Sequence, residues 1–145
     1  MKKFELTAES KINIFGKKLF RIKALISFGD VEEGETGGWI EKEENLEQSS
    51  GDAWVYGDAE VYGDAWVYGN ADYTTIHGFG TQFRTTTFFQ CEDKQIRVSC
   101  GCFLGTIPEF REQVKNTREG KIAEEYLMIA DLMEKHFVKE KESGE

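Results

Sequence analysis

The chain carries two imidazoles, His77 and His136, and an imidazole is the side chain best suited to moving protons near neutral pH. His77 is the better placed, in the glycine-punctuated stretch Thr74-Thr75-Ile76-His77-Gly78-Phe79-Gly80-Thr81. A base needs an orienting partner, and the residues around His77 identify none. No catalytic residue is therefore assigned, and His77 stands as the alternative if there is one. The same stretch runs on to Arg84 and Thr85-Thr86-Thr87, bringing backbone N–H groups, hydroxyls and one guanidinium close together, a mixture suited to an anion. His77, Gly80, Thr81, Arg84 and Thr86 form the candidate ligand-binding set.

Metal chemistry has less support. Cys91, Cys100 and Cys102 would need a fourth ligand, with His77 the candidate, and a Cys-x-Cys pair on one strand is not the Cys-x-x-Cys knuckle of zinc sites. The thiols read as small core residues. Asp52, Asp58 and Asp64 could ligate Ca²⁺ or imitate the spacing of phosphates, but their place beside glycines makes them solvated corner residues. No GxGxxG, P-loop, Gly-x-Ser-x-Gly or His-Glu-x-x-His sequence occurs, so nucleotide hydrolysis, serine hydrolysis and metalloproteolysis have no local motif. Neither a metal nor a cofactor is expected.

What must position these groups is a repeat. From Gly51 to Tyr73 the chain reads GDAWVY GDAEVY GDAWVY GNADY, self-similar every six residues. Six is even, so in an extended chain each unit keeps the same parity, and Ala53, Val55, Ala59, Val61, Ala65, Val67 and Ala71 point one way as a core-facing set. Gly-Asp or Gly-Asn at each boundary suits a corner, and so many breaks exclude a helix.

These units, with Ala53-Trp54-Val55 and its copies, resemble the hexapeptide-repeat, left-handed parallel β-helix superfamily. The resemblance implies three strands per triangular coil, residues 18 apart stacked so that Ala53 lies under Ala71 and Val55 under Tyr73, and trimeric assembly. Its acyltransferases use a histidine base, here His77, and bind coenzyme A between subunits. The stretch from Arg21 to Leu46, with RIKAL, FGDV and GGWIEKEENL, and the segment CGCFLGTIPEF to EEYL are similar to an uncharacterised bacterial and phage group of short hexapeptide-repeat proteins. That likeness implies a phage-type protein working in the cytoplasm of a bacterial host.

The outward slots of the repeat hold Trp54, Tyr56, Glu60, Tyr62, Trp66, Tyr68 and Asp72, five of them aromatic. Contiguous exposed aromatics signal contact with something else. The strand preference of the rings, packing against the N-terminal segment or a second subunit, and a partner surface all account for them. Trp54, Tyr56, Tyr62, Trp66 and Tyr68 are the candidate interface.

Upstream, Phe4 to Leu6, Ile12 to Phe15 and Leu19 to Ala24 read as strands, with Gly16-Lys17-Lys18 a hairpin turn. Downstream, Thr85 to Cys91 and Gln95 to Phe103 read as two strands joined by Glu92-Asp93-Lys94. Thr106-Ile107-Pro108-Glu109 has the form of a capping box, followed by a helix from about Ile107 to Asn116 and, past Gly120, another from Lys121 to Lys139. The expected fold is mainly β with C-terminal helices: a strand-rich segment and short left-handed parallel β-helix over residues 1–75, and a β-hairpin with a two-helix cap over residues 76–145.

The chain has 145 residues, with 27 acidic against 18 basic side chains and a formal charge of -9. That balance lacks the electropositive footprint of direct nucleic-acid binding. No apolar run is long enough to span a bilayer, three cysteines without an export signal point to reduced thiols, and a soluble, cytoplasmic protein with no membrane partner is expected. The function these features favour is a non-catalytic binding protein, of phage type, that sequesters a small anionic ligand or covers a host protein. A small hexapeptide-type acyltransferase using His77 and a purely structural homo-oligomer are the alternatives.

Overall fold

The structure, a computed structural model, describes residues 2–13, 15–48, 51–69, 72–80, 84–100 and 103–137. Strands β1 (Phe4–Ile12) and β2 (Lys18–Ala24) form an antiparallel hairpin. Gly16 takes the positive φ that the turn between them needs, and the Asn13 carboxamide oxygen accepts hydrogen bonds from the backbone N–H groups of Phe15 and Lys17, each at 3.0 Å. Strand β3 (Thr36–Ile40) runs antiparallel to β2 and parallel to β4 (Glu60–Val61), which completes a mixed sheet in the order β1-β2-β3-β4.

The inward parity of the repeat is as the period dictates: Ala53, Val55, Ala59, Val61, Ala65 and Val67 are all buried, while Ala71 lies outside the described residues. The corners are also in place. Gly51, Gly57 and Gly63 have positive φ, and Tyr56–Ala59 and Tyr62–Ala65 are closed by turn hydrogen bonds of 3.1 and 3.2 Å. Asp52, Asp58 and Asp64 are exposed beside them.

The left-handed parallel β-helix is not what these units build. The architecture is two small sheets, the first mixed and the second antiparallel, plus two helices, with no solenoid. The repeat segments pair with other parts of the chain. Gly38 N–H donates to Val55 C=O at 2.7 Å, Trp39 to Ala59 at 3.0 Å and Glu47 to Val67 at 2.8 Å, while on the far side Trp66 donates to Gln90 at 2.8 Å and Glu92 to Asp64 at 2.9 Å. Tyr73, expected to stack on Val55 in a coil, instead opens an antiparallel strand. The physical reason is length. A solenoid unit cannot bury its apolar face alone and needs about three or more stacked repeats, whereas fewer than four hexads make little more than one three-sided coil. Their edges are satisfied by the N-terminal sheet and by the segment after Gln90.

Strands β5 (Tyr73–Phe79), β6 (Arg84–Gln90), β7 (Ile96–Cys100) and β8 (Phe103–Thr106) form the second sheet, in chain order and wholly antiparallel. The expected hairpin is there as β6 and β7, with Lys94 at positive φ in its turn. Its second strand is shorter than the sequence reading, because the chain doubles back and Phe103 pairs with Cys100; two residues between paired strands is the tightest hairpin loop. Cys102 lies outside the described residues.

Helix α1 (Ile107–Thr117) begins on the capping box: Thr106 N–H donates to the Glu109 carboxylate at 2.8 Å and Glu109 N–H donates to the Thr106 hydroxyl at 3.3 Å. These bonds hold the Glu109 carboxyl below its ordinary pKa. Helix α2 (Gly120–Phe137) starts one turn later than α1 ends, and the expected extension to Lys139 lies outside the described residues. Among the described residues no helix is long and apolar enough to cross a membrane.

The second sheet separates two apolar clusters. Phe88, Val98 and Cys100 face the helices, among Ile107, Phe110, Tyr126 and Met133. Tyr73, Phe89 and Cys91 point the other way and join the core of the repeat.

Candidate functional site

Where the hairpin β1–β2, the repeat and the second sheet meet, they leave a cleft of about 520 Å³ lined by Lys11, Ile12, Asn13, Phe15, Asp58, Glu60, Tyr62, His77, Thr85, Thr87 and Ser99. Strand alternation explains the set on the second sheet: His77 pairs with Thr85 across β5 and β6, and Thr87 pairs with Ser99 across β6 and β7. Residues paired across neighbouring strands share a face, and so do residues two apart. All four therefore point to the repeat.

Each polar group in the cleft is held. His77 Nδ1 and the Thr85 hydroxyl are 2.8 Å apart, which leaves Nε2 as the ring nitrogen to meet a ligand. The Thr87 hydroxyl accepts the Glu60 N–H at 3.2 Å. The Tyr62 phenol and the Ser99 hydroxyl share a buried hydrogen bond of 2.8 Å. Burial pushes the Tyr62 pKa up despite the lowering effect of Ser99, so near neutral pH the phenol is a proton carrier for hydrogen bonding and not a base. Lys11 Nζ lies 2.8 Å from Glu60 Oε2 and over the Trp39 ring at 4.4 Å, so its charge is already answered. Phe15, 42 % exposed, sits with its ring 6.5 Å from that of Tyr62.

The residues singled out from the sequence divide between this cleft and other places. His77 is in it. Gly80 is not: it has positive φ and a Cβ there would stand 2.5 Å from the Tyr126 hydroxyl, so its smallness serves packing against α2. Thr86 is buried on the helix face, where its hydroxyl donates to Cys100 Sγ at 3.2 Å. Thr81 lies outside the described residues, and Arg84 is described by its backbone, which opens β6. The parity of the strand was the missed signal: Thr86 shares it with Phe88 and follows it inward, whereas Thr85 and Thr87 take the His77 side. Lys11, Asn13, Phe15, Glu60 and Ser99 come from four separate segments, and only tertiary contacts assemble them.

The aromatic slots also divide. Trp54 is fully buried, with edge contacts to Phe4 at 6.4 Å and Phe28 at 5.5 Å between ring centroids. Tyr62 packs on Phe89 at 5.8 Å. Trp66 is half-buried, in edge contact with Tyr68 at 5.4 Å and under the Lys94 ammonium at 5.1 Å. Tyr56 and Tyr68 are exposed. Packing within the chain thus accounts for the two largest buried rings of the repeat.

Cys91 and Cys100 are buried on opposite faces of the second sheet, and burial raises the Cys91 thiol to about 11. Among the described residues no group of three or more His, Cys, Asp or Glu side chains is arranged to hold a metal ion. His136 is exposed on α2 beside Phe137. No protein-family model matches the chain, and no curated protein matches it either.

Proposed function

We propose that the protein is a non-catalytic binding protein that holds a small polar molecule in the cleft between the hairpin, the repeat and the second sheet. The observation that carries this reading is the fixed array of Thr85, Thr87, Ser99, Tyr62 and His77 on one concave surface. Donors and acceptors already held by neighbours lose little freedom on binding, which is what affinity for a small ligand requires. The imidazole is braced by a hydroxyl and not by a carboxylate, an arrangement that orients a ring without making it a strong base. The anion foreseen from Gly80, Arg84 and Thr86 is a poorer fit, because Asp58 and Glu60 bring two carboxylates and Lys11 is spent on one of them. Self-association has less apolar surface to draw on, since Trp54 and Tyr62 find their neighbours inside the chain.

The test is native mass spectrometry of the protein after incubation with a low-molecular-weight cell extract, alongside His77→Ala. His77 is exposed on a strand, so the substitution should leave the fold within about 0.5 kcal/mol of the original. The reading expects an adduct retained by the protein and lost from the variant. Empty protein, or an adduct that both forms keep equally, refutes it.

A further inference from the structure

The Asn13 carboxamide gives the ligand a chemical class. Its oxygen accepts from Phe15 N–H and Lys17 N–H, which fixes the orientation of the amide without ambiguity. Nδ2 is therefore the other end. It is buried, it has no hydrogen-bond partner among the described residues, and the residue lines the cleft. A buried donor left unpaired costs about 1–3 kcal/mol, a cost that an acceptor oxygen arriving in the cleft would relieve.

We infer that the molecule held in the cleft is a neutral pyranose, with a ring or hydroxyl oxygen on Asn13 Nδ2, one C–H face on Phe15 and a diol edge on Asp58. This rests on the binding reading given above. Three kinds of group point the same way. Asn13 demands an acceptor, which an alkylammonium ligand does not possess. Asp58 and Glu60 accept only, so they call for O–H donors and repel phosphate or carboxylate. Phe15 offers a partly exposed ring at the rim beside Ile12, which is 70 % exposed, and the electron-rich face of an aromatic ring attracts the slightly positive C–H groups of a sugar. A sugar ring carries all three complements at once: acceptor oxygens, adjacent hydroxyl donors and an apolar face. The hydroxyls of Thr85, Thr87 and Ser99, which both donate and accept, suit the remaining O–H groups. The cleft volume lies within the usual range for small-ligand sites, roughly 300–1,000 Å³, with space for one or two pyranose rings.

The experiment is saturation-transfer NMR and calorimetric titration of the whole protein with methyl glucoside, methyl galactoside and N-acetylglucosamine, against adenosine, spermidine and inorganic phosphate. At least one pyranose should bind saturably, shift the Asn13 side-chain NH₂ resonances and show its strongest transfer at ring C–H protons. Phe15→Ala and Asn13→Asp should each weaken it about tenfold, the worth of one good contact. Asn13→Asp keeps the oxygen that accepts from Phe15 and Lys17, so the turn survives, and unchanged thermal unfolding verifies that. Sugar binding untouched by both substitutions overturns the site. Binding of adenosine, spermidine or phosphate with no sugar bound overturns the ligand class and leaves the cleft a binding site. Silence from all six overturns the class too, and the extract experiment then decides separately whether the cleft binds anything.

Discussion

Trp54 and Tyr56 occupy equivalent outward slots of one repeat unit, so replacing each by alanine tests whether burial within the chain governs the aromatic positions. Trp54 has no exposed surface. Its indole meets Phe4 and Phe28 edge-on, and its Cζ2 stands 2.7 Å from where a Cβ on Gly37 would be. Truncating a buried Trp to Ala costs about 3–5 kcal/mol, and two aromatic edge contacts worth roughly 0.5–1.5 kcal/mol each place this case in the upper part of that range. For a chain of this size, about 2–4 °C of Tm per kcal/mol gives a fall of roughly 8–16 °C. Tyr56 is 45 % exposed, and Tyr56→Ala should cost about 1 kcal/mol or less. Urea unfolding followed by far-ultraviolet circular dichroism reads both without relying on the removed indole. Equal losses for the two variants, or a Trp54→Ala cost below about 1 kcal/mol, would refute the placement of Trp54 between the hairpin and the repeat.

Gly37→Ala should destabilise by about 1–3 kcal/mol through overpacking, because the added methyl meets Ile22 Cγ1, Trp54 Cζ2 and the Val55 carbonyl oxygen, each at 2.7 Å; urea unfolding of that single variant checks it. Thr106→Ala removes the cap hydroxyl of α1 and should cost about 1 kcal/mol, seen as a lower urea midpoint at unchanged slope. Stability should also fall on the alkaline side. The Cys91 thiol ionises from about pH 9 in an unfolded chain and near 11 in the fold, so above pH 9 the unfolded state binds fewer protons and gains. Over that window the loss should reach roughly 2–3 kcal/mol, with Tyr73, raised by burial from 10 to about 12, continuing it. Cys91→Ala should flatten the portion between pH 9 and 11, and an unaltered slope there would show that the thiol is not shielded in the fold.

Much of the local structure was legible because it is set over a few residues. Even periodicity sends Ala53 through Val67 inward in any extended arrangement, glycine at Gly57 and Gly63 permits the corners, and Thr106 with Glu109 starts a helix from within its own first turn. The turn at Gly16 and the hairpin around Lys94 belong to the same class. Parity was also enough to place Thr86 with Phe88 on the helix side, although hydroxyl chemistry alone made it look like a ligand residue.

Which ladder each strand joins was not legible in the same way. A hexad specifies the side a residue faces and is silent about what lies beside it, so Val55, Val61 and Val67 fit a stacked coil as well as they fit the mixed sheet they actually enter. That choice depends on the free energy of covering two open edges, and it was decided by residues far along the chain: Gly38 and Glu47 on one side, Gln90 and Glu92 on the other. The cleft arises in the same manner. Its braces join Lys11 to Glu60, Glu60 to Thr87 and Tyr62 to Ser99, and the unpaired Asn13 amide matters only because the turn that orients it faces the second sheet. No spacing within a single segment encodes those meetings, since they are settled by the packing of the whole chain.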